Sequence, residues 1–110
     1  WSFSENHGKL LENLVALELL KSGKDVMYFS DTRECDFIIT EKLSWSAIQV
    51  CYSLKESDTY ERETGGLVNA CKYLKLKSGT ILTYEEESEI KKDDITIEVL
   101  PAYKYVLERL

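Results

Sequence analysis

Two apolar runs of strand length, Glu34-Cys35-Asp36-Phe37-Ile38-Ile39 and Ala47-Ile48-Gln49-Val50-Cys51-Tyr52, stand one turn apart in a chain of 110 residues. Both are rich in β-branched and aromatic residues, and Glu41-Lys42-Leu43-Ser44 between them is a hairpin connection. Side chains alternate faces along a strand, so Asp36, Ile38 and Thr40 share one face of the first run, and Ala47, Gln49 and Cys51 share one face of the second. A carboxylate and an amide can therefore lie side by side on a sheet. Asp36 stands inside an otherwise apolar run, where a charge is costly to bury unless something pairs with it. That makes it the first residue to ask for a function.

The rest of the chain must supply a core around this hairpin. With 44% hydrophobic residues, 110 residues suffice for one domain, 1–110, and not for two. A formal charge of -6 argues against a surface that binds nucleic acid by bulk electrostatics, because phosphates are neutralised by clustered Lys and Arg. A local basic patch stays open. The three cysteines, Cys35, Cys51 and Cys71, are odd in number and lack CxxC spacing, which points to reduced, buried thiols rather than a disulfide framework or a zinc site. No apolar run reaches the roughly 20 residues of a membrane span and no signal-peptide layout opens the chain, so the expectation is a cytoplasmic protein with no membrane partner. A chain that opens on Trp1 rather than Met reads as a piece of a longer one.

In chain order, Ser2 or Ser4 caps a first helix, with Ser2 three residues before Glu5 in a capping box, and Lys21-Ser22-Gly23 stops it. Leu10, Leu14 and Leu17, with Leu11, Val15 and Leu20 alongside, form a stripe wider than a surface helix needs. The width predicts that the helix packs against a sheet on one side and touches a neighbour on another, with Glu12 away from the Leu10/Leu14/Leu17 line, at a flank of the buried face. Taken alone, Glu12 and Glu18 read as solvated helix positions. Residues 26–29 read as a short strand and 30–33 as a turn. Asp58, with Glu61 three residues on, caps a second helix whose apolar face is Leu67, Val68, Cys71 and Leu74; Gly65 and Gly66 imply a close contact or a bend there. Two more strands, 79–84 and 95–100, are joined by a charged, solvated hairpin over 85–94. Pro101 opens a last helix that packs through Tyr103, Val106, Leu107 and Leu110. A strand-helix-strand step requires a parallel pair, so the fold class is α/β, a mixed β-sheet flanked by helices.

A helix with an embedded Glu, a hairpin with Asp on its second strand and an alternate-residue pair on the next strand resemble the PD-(D/E)XK nuclease fold, the superfamily of restriction endonucleases and archaeal Holliday junction resolvases. More closely, Gly8-Lys9-Leu10-Leu11-Glu12-Asn13, Glu34-Cys35-Asp36-Phe37-Ile38, Ile48-Gln49-Val50-Cys51-Tyr52 and Thr59 with Arg62-Glu63 look like the C-terminal domain of unknown function that follows the P-loop domain of many archaeal and bacterial AAA-type ATPases. The ending, residues 95–101 with Tyr103 and Tyr105, is similar to that family's last strand and aromatic pair. The resemblance implies metal-assisted phosphodiester hydrolysis in the superfamily: Asp and the acidic member ligate Mg²⁺, the helix Glu adds to the site, and the Lys orients the attacking water.

Carried over residue by residue, the helix Glu is Glu12, the Asp is Asp36, the acidic member is Gln49 and the lysine is Cys51. Gln49 removes a ligand charge and Cys51 supplies no cation at neutral pH. The resemblance therefore implies vestigial catalytic positions at Glu12, Asp36, Gln49 and Cys51, a weak metal site at Asp36 and Glu12 with Mg²⁺ if any, and binding residues Tyr52, Arg62 and Glu63; Arg62 and Glu63 can be read as a helix-surface pair, but their position after the Gln-Val-x-Tyr strand favours contact with Asp36 or Gln49. It implies no cofactor in this domain and ATP in an upstream ATPase domain, with that domain, nucleic acid or a protein as partner. The first reading is thus a degenerate nuclease-like module acting in binding or regulation. The alternative is an active Mg²⁺-dependent nuclease whose lysine has moved to Lys55 or Lys72. A third is a plain structural domain in which Asp36 is hydrogen-bonded for local reasons. His7 reads as a surface or capping residue, and Cys51 as a buried strand thiol rather than a nucleophile.

Overall fold

The computed structural model describes residues 3–28, 36–41 and 44–110. Ser2 as a cap, Phe29, the turn over 30–33, Glu34, Cys35 and the Lys42-Leu43 connection lie outside the described residues. The elements run α1 (Phe3–Lys21), β1 (Asp25–Tyr28), β2 (Phe37–Glu41), β3 (Ser44–Val50), α2 (Ser57–Tyr73), β4 (Ser78–Thr83), β5 (Ser88–Lys92), β6 (Ile95–Pro101) and α3 (Ala102–Arg109). They form one six-stranded mixed sheet in the order β1-β2-β3-β4-β6-β5. β3 pairs with β4 and β4 with β6 in parallel; the other neighbours are antiparallel.

α2 covers one face of the sheet and α1 with α3 the other, so the core has two layers. Ile38, Ala47, Ile81, Ile97 and Val99 meet Leu67, Val68 and Cys71 of α2 on one side. Phe37, Ile39, Ile48, Val50 and Leu82 meet Val15 and Leu19 of α1 and Tyr105 of α3 on the other. The second half of β3, residues 47–50, is buried on both faces, which is why Ala47, Ile48 and Val50 do not alternate with exposed positions.

Several expectations need correction. The charged stretch 85–94 contains β5, an edge strand paired along its length with β6, so it is more than a solvated turn. β3 spans Ser44–Val50 rather than 47–52, although the Cys51 amide still donates to the Leu82 carbonyl and the Tyr84 amide to that of Tyr52. Ser4 lies inside α1 rather than before it. Asp58 sits in the first turn of α2; the N-cap is Glu56, without a side-chain hydrogen bond. Gly65 has no close neighbour, since a Cβ there would meet nothing within 4 Å. A close approach of α2 to the sheet is found at Gly79 of β4, where a Cβ would meet the Cys71 sulfur at 2.9 Å and the Leu67 methyls at 3.0 Å. Gly79→Ala is expected to cost about 1–3 kcal/mol by overpacking, read as a lower urea midpoint with an unchanged slope.

The largest correction concerns the helices on the second face. α1 packs through Leu11, Val15 and Leu19, with Glu12 beside them, and the Leu10/Leu14/Leu17 line faces outward. α3 packs through Ala102 and Tyr105, leaving Tyr103 and Leu107 outside. Both helices are apolar on more than one side, and spacing alone cannot choose which line meets the sheet. α1 does end as read: Gly23 takes φ +77°, the left-handed conformation that stops a helix, after the Ser22 hydroxyl donates to the Leu19 carbonyl.

Candidate functional site

β2 enters the sheet just where β3 leaves it, so Asp36, the residue before β2, stands opposite the end of β3. The pairing of Phe37 with Ile48 carries Asp36 to the level of Gln49. Three hydrogen bonds fix the corner. The Val50 amide donates to Asp36 Oδ2 at 2.7 Å, the Asp36 amide donates to Gln49 Oε1 at 2.9 Å, and Gln49 Nε2 donates to Glu63 Oε2 of α2. Gln49 is buried and engaged at both ends of its amide. Its oxygen can face only the amide donor and its nitrogen only the carboxylate, which fixes its orientation.

Around this corner lies a cleft of about 460 Å³ lined by Glu12 from α1, by Asp36, Cys51, Tyr52 and Lys55 from the sheet end and the following loop, and by Arg62 and Glu63 from α2. Helices from opposite faces of the sheet thus bring carboxylates to one place. Gln49 belongs to the wall behind the cleft. Burial pushes the Asp36 carboxyl up to about 7; the Val50 amide opposes the rise, and the charges of Glu12 and Glu63 add to it. Burial also raises Glu63, against the Gln49 hydrogen bond and the nearby Arg62 guanidinium. Cys51 is buried, and its thiol is raised by burial and then by Glu63, Glu86 and Asp36 despite Arg62, so it stays a neutral thiol.

Among the binding residues, Glu63 reaches Gln49 and Tyr52 lines the cleft. Arg62 lines it too, but its charge acts on Glu63 and Cys51, while Asp36 feels the Val50 amide and two carboxylates. Of the lysine candidates, Lys55 stands in the cleft, whereas Lys72 is away from it, in an ion pair with Asp93 at 2.9 Å. His7 lies edge-to-face on Tyr52 with ring centres 5.4 Å apart, and Tyr52 stacks on Tyr84.

Two contributors escaped the sequence reading. Lys9 also lines the cleft. Glu86, in the supposedly solvated stretch, accepts from the Leu54 amide at 2.9 Å and so ties down the loop that walls the cleft. The signal for Glu86 is Thr83, three residues earlier: the hydroxyl of Thr83 accepts from the Glu86 amide and donates to its carbonyl, a local turn legible in Thr-x-x-Glu.

The residues do not suit the Mg²⁺ that the resemblance implies. Among the described residues no group of three or more His, Cys, Asp or Glu is placed to hold a metal ion. Glu63 is bonded to Gln49 and one Asp36 oxygen to the Val50 amide, which removes oxygens a hard cation needs.

The family described as a domain of unknown function, DUF4143, matches residues 7–105. The chain belongs to this family. An uncharacterised protein of Methanocaldococcus jannaschii, MJ1544, is 39% identical to this DUF4143 chain over 117 residues, covering 96% of the chain and 26% of that relative. The chain therefore spans about a quarter of the relative's length. No solved structure matches it. Among the described residues no helix is long and apolar enough to cross a membrane.

Proposed function

We propose that this DUF4143 domain is a module derived from a PD-(D/E)XK-like nuclease that no longer hydrolyses phosphodiesters and acts by binding or regulation within a longer AAA-type ATPase. One observation carries the reading. The position that corresponds to the superfamily's acidic ligand is Gln49, and its amide is consumed in bridging Asp36 to Glu63. The corner that would hold a metal is thus held by hydrogen bonds between protein groups. At the position of the lysine, Cys51 is a buried neutral thiol, which neither orients a water nor offsets developing charge.

ATP, in this reading, belongs to a domain upstream, and the cleft takes a protein segment or a nucleic-acid end rather than a scissile bond. The active-nuclease alternative draws on Lys55 and Lys9, both of which line the cleft with Glu12 and Asp36. Calorimetry with Mg²⁺ and Mn²⁺, and incubation with single-stranded, duplex and branched DNA and with RNA, separate the two. The expected result is no saturable heat below millimolar metal and no cleavage. Metal-dependent cleavage by the unaltered chain, abolished by Asp36→Ala, would reverse the assignment.

A further inference from the structure

α1 is apolar on two opposite sides, and the sheet uses only one of them. Val15 and Leu19 are buried against β2 and β3, whereas Leu10, Leu14 and Leu17 are 57%, 50% and 53% exposed and Leu20 lies further out still. The spacing four-then-three of Leu10, Leu14 and Leu17 is that of a coiled-coil seam. α3, packed beside α1 on the same face of the sheet, adds Tyr103 and Leu107, also exposed. At the cleft end of the seam a groove of about 230 Å³ opens between His7, Leu10, Leu11 and Leu14 of α1 and the stacked pair Tyr52 and Tyr84. In a chain in which 31% of residues are charged, this line of α1 carries none until Glu18 and Lys21, which pair with each other at 3.9 Å. Soluble domains rarely leave so continuous an apolar surface in water.

We infer that this face is the seat of an amphipathic helix supplied by the remainder of the same polypeptide, which lays an apolar stripe along Leu10, Leu14 and Leu17 and inserts one large apolar side chain into the groove beside Tyr52 and Tyr84. The inference rests on the reading of the domain as part of a longer chain. The occupant is a helix because the seam has helix-helix spacing and is bounded by a second helix, α3. It belongs to the same polypeptide because the domain accounts for only 26% of the relative's length, which leaves ample chain to provide it. Tethering also gives the contact a high effective concentration, so a seam of a few leucines suffices. A second copy is disfavoured, since it would bring together two chains of charge -6 with one charged pair, Glu18 and Lys21, at the end of the seam to offset the repulsion. Because Tyr52 lines both the groove and the cleft, a helix seated here touches the wall of the candidate site, which gives the neighbouring domain a route to it.

The test is performed on the polypeptide as its gene encodes it, carrying either Leu14→Cys on the seam or Tyr73→Cys on the exposed end of α2, across the sheet from α1. Maleimide labelling under native conditions is expected to be at least tenfold slower at position 14 than at position 73. Adding Leu17→Lys to the Leu14→Cys variant should bring the two rates together without changing the circular dichroism. Equal rates in the unaltered background would overturn the inference while leaving the reading as an ATPase module intact. Protection that disappears on dilution, with a dimeric mass by light scattering, would assign the face to a second copy and overturn it as well. A gene that encodes no further domain would remove both the inference and the reading.

Discussion

Asp36→Asn is expected to make the domain more stable at pH 8, by up to about 4 kcal/mol, and to leave it unchanged near pH 4. Burial and the charges of Glu12 and Glu63 move the Asp36 carboxyl from its ordinary 3.8 to about 7, and each pH unit of such a displacement is worth about 1.4 kcal/mol. A carboxyl raised on folding binds more protons in the native than in the unfolded state between those two values. Native stability therefore falls as pH rises through that window and levels off above pH 7. Asparagine keeps an oxygen that can accept from the Val50 amide and loses the charge, so it removes the pH-dependent loss and little else. Glu63, raised by burial in the same corner, adds to the slope in the same direction. Urea titrations of both proteins from pH 4 to pH 8 measure the gap directly. If Asp36→Asn is the less stable protein at pH 8, the carboxylate is a structural anchor and the third reading, a plain structural domain, gains at the expense of the first. A net cost to stability at pH 8 would set Asp36 apart from a structural anchor, since functional sites trade stability for chemistry.

How much of this corner was legible before the structure depends on the kind of signal. The α/β class and the mixed sheet follow from strand-length runs and a strand-helix-strand step, both local patterns. The convergence on Asp36 rests on the two-residue period of strands and on a register that the hairpin fixes, so Asp36 and Gln49 could be placed side by side from spacing alone. Glu63 could be brought near only through the resemblance, because its approach depends on how α2 crosses the sheet, which no local pattern records. β5 was missed because Ser-Glu-Ile-Lys-Lys is an edge strand, whose charged residues guard against pairing with other chains and so look like a loop. The packing sides of α1 and α3 were read only in part, for a different reason: Leu11, Val15 and Val106 turn inward or are half-buried, whereas Leu10, Leu14, Leu17, Tyr103 and Leu107 stay outside. Hydrophobic spacing reports that a face is buried against something, without reporting whether that partner lies in the same domain. In α1 the line that read as core is the line that the domain leaves outside, and the buried line is the one that carries Glu12 toward Asp36. The same turn of the helix points Glu12 at the cleft, the position that the resemblance gave it.

Gln49 carries the second large effect, because both ends of its amide hold groups that cannot easily find other partners. Gln49→Leu fills much of the same volume and leaves the Asp36 amide without an acceptor and the Glu63 carboxylate without its donor. A hydrogen bond to a charged group is worth about 1.5–3 kcal/mol, and a buried donor left unsatisfied costs about 1–3 kcal/mol, so the expected loss is about 3–5 kcal/mol at pH 7. Gln49→Glu separates structure from ancestry. It introduces the acidic residue that the proposed superfamily pattern has here but sets a carboxylate against Glu63 where an amide donor stood. The two acids then share a proton, their joint pKa rises, and the variant should approach the stability of the unaltered chain below about pH 5 while losing on the order of 3 kcal/mol by pH 8. With the introduced carboxylate set beside Asp36 and Glu63, and Glu12 across the cleft, a divalent cation becomes an alternative to the proton. Millimolar Mg²⁺ or Mn²⁺ should then raise the melting temperature of Gln49→Glu, and of Gln49→Glu with Cys51→Lys, and leave that of the unaltered chain unmoved. If the cations stabilise all three proteins equally, the corner is already a metal site and its glutamine bridge is not what replaced the metal. A Gln49→Glu variant whose stability shows neither pH nor cation dependence would instead mean that Glu63 is free to turn away, and that the bridge is incidental to the fold.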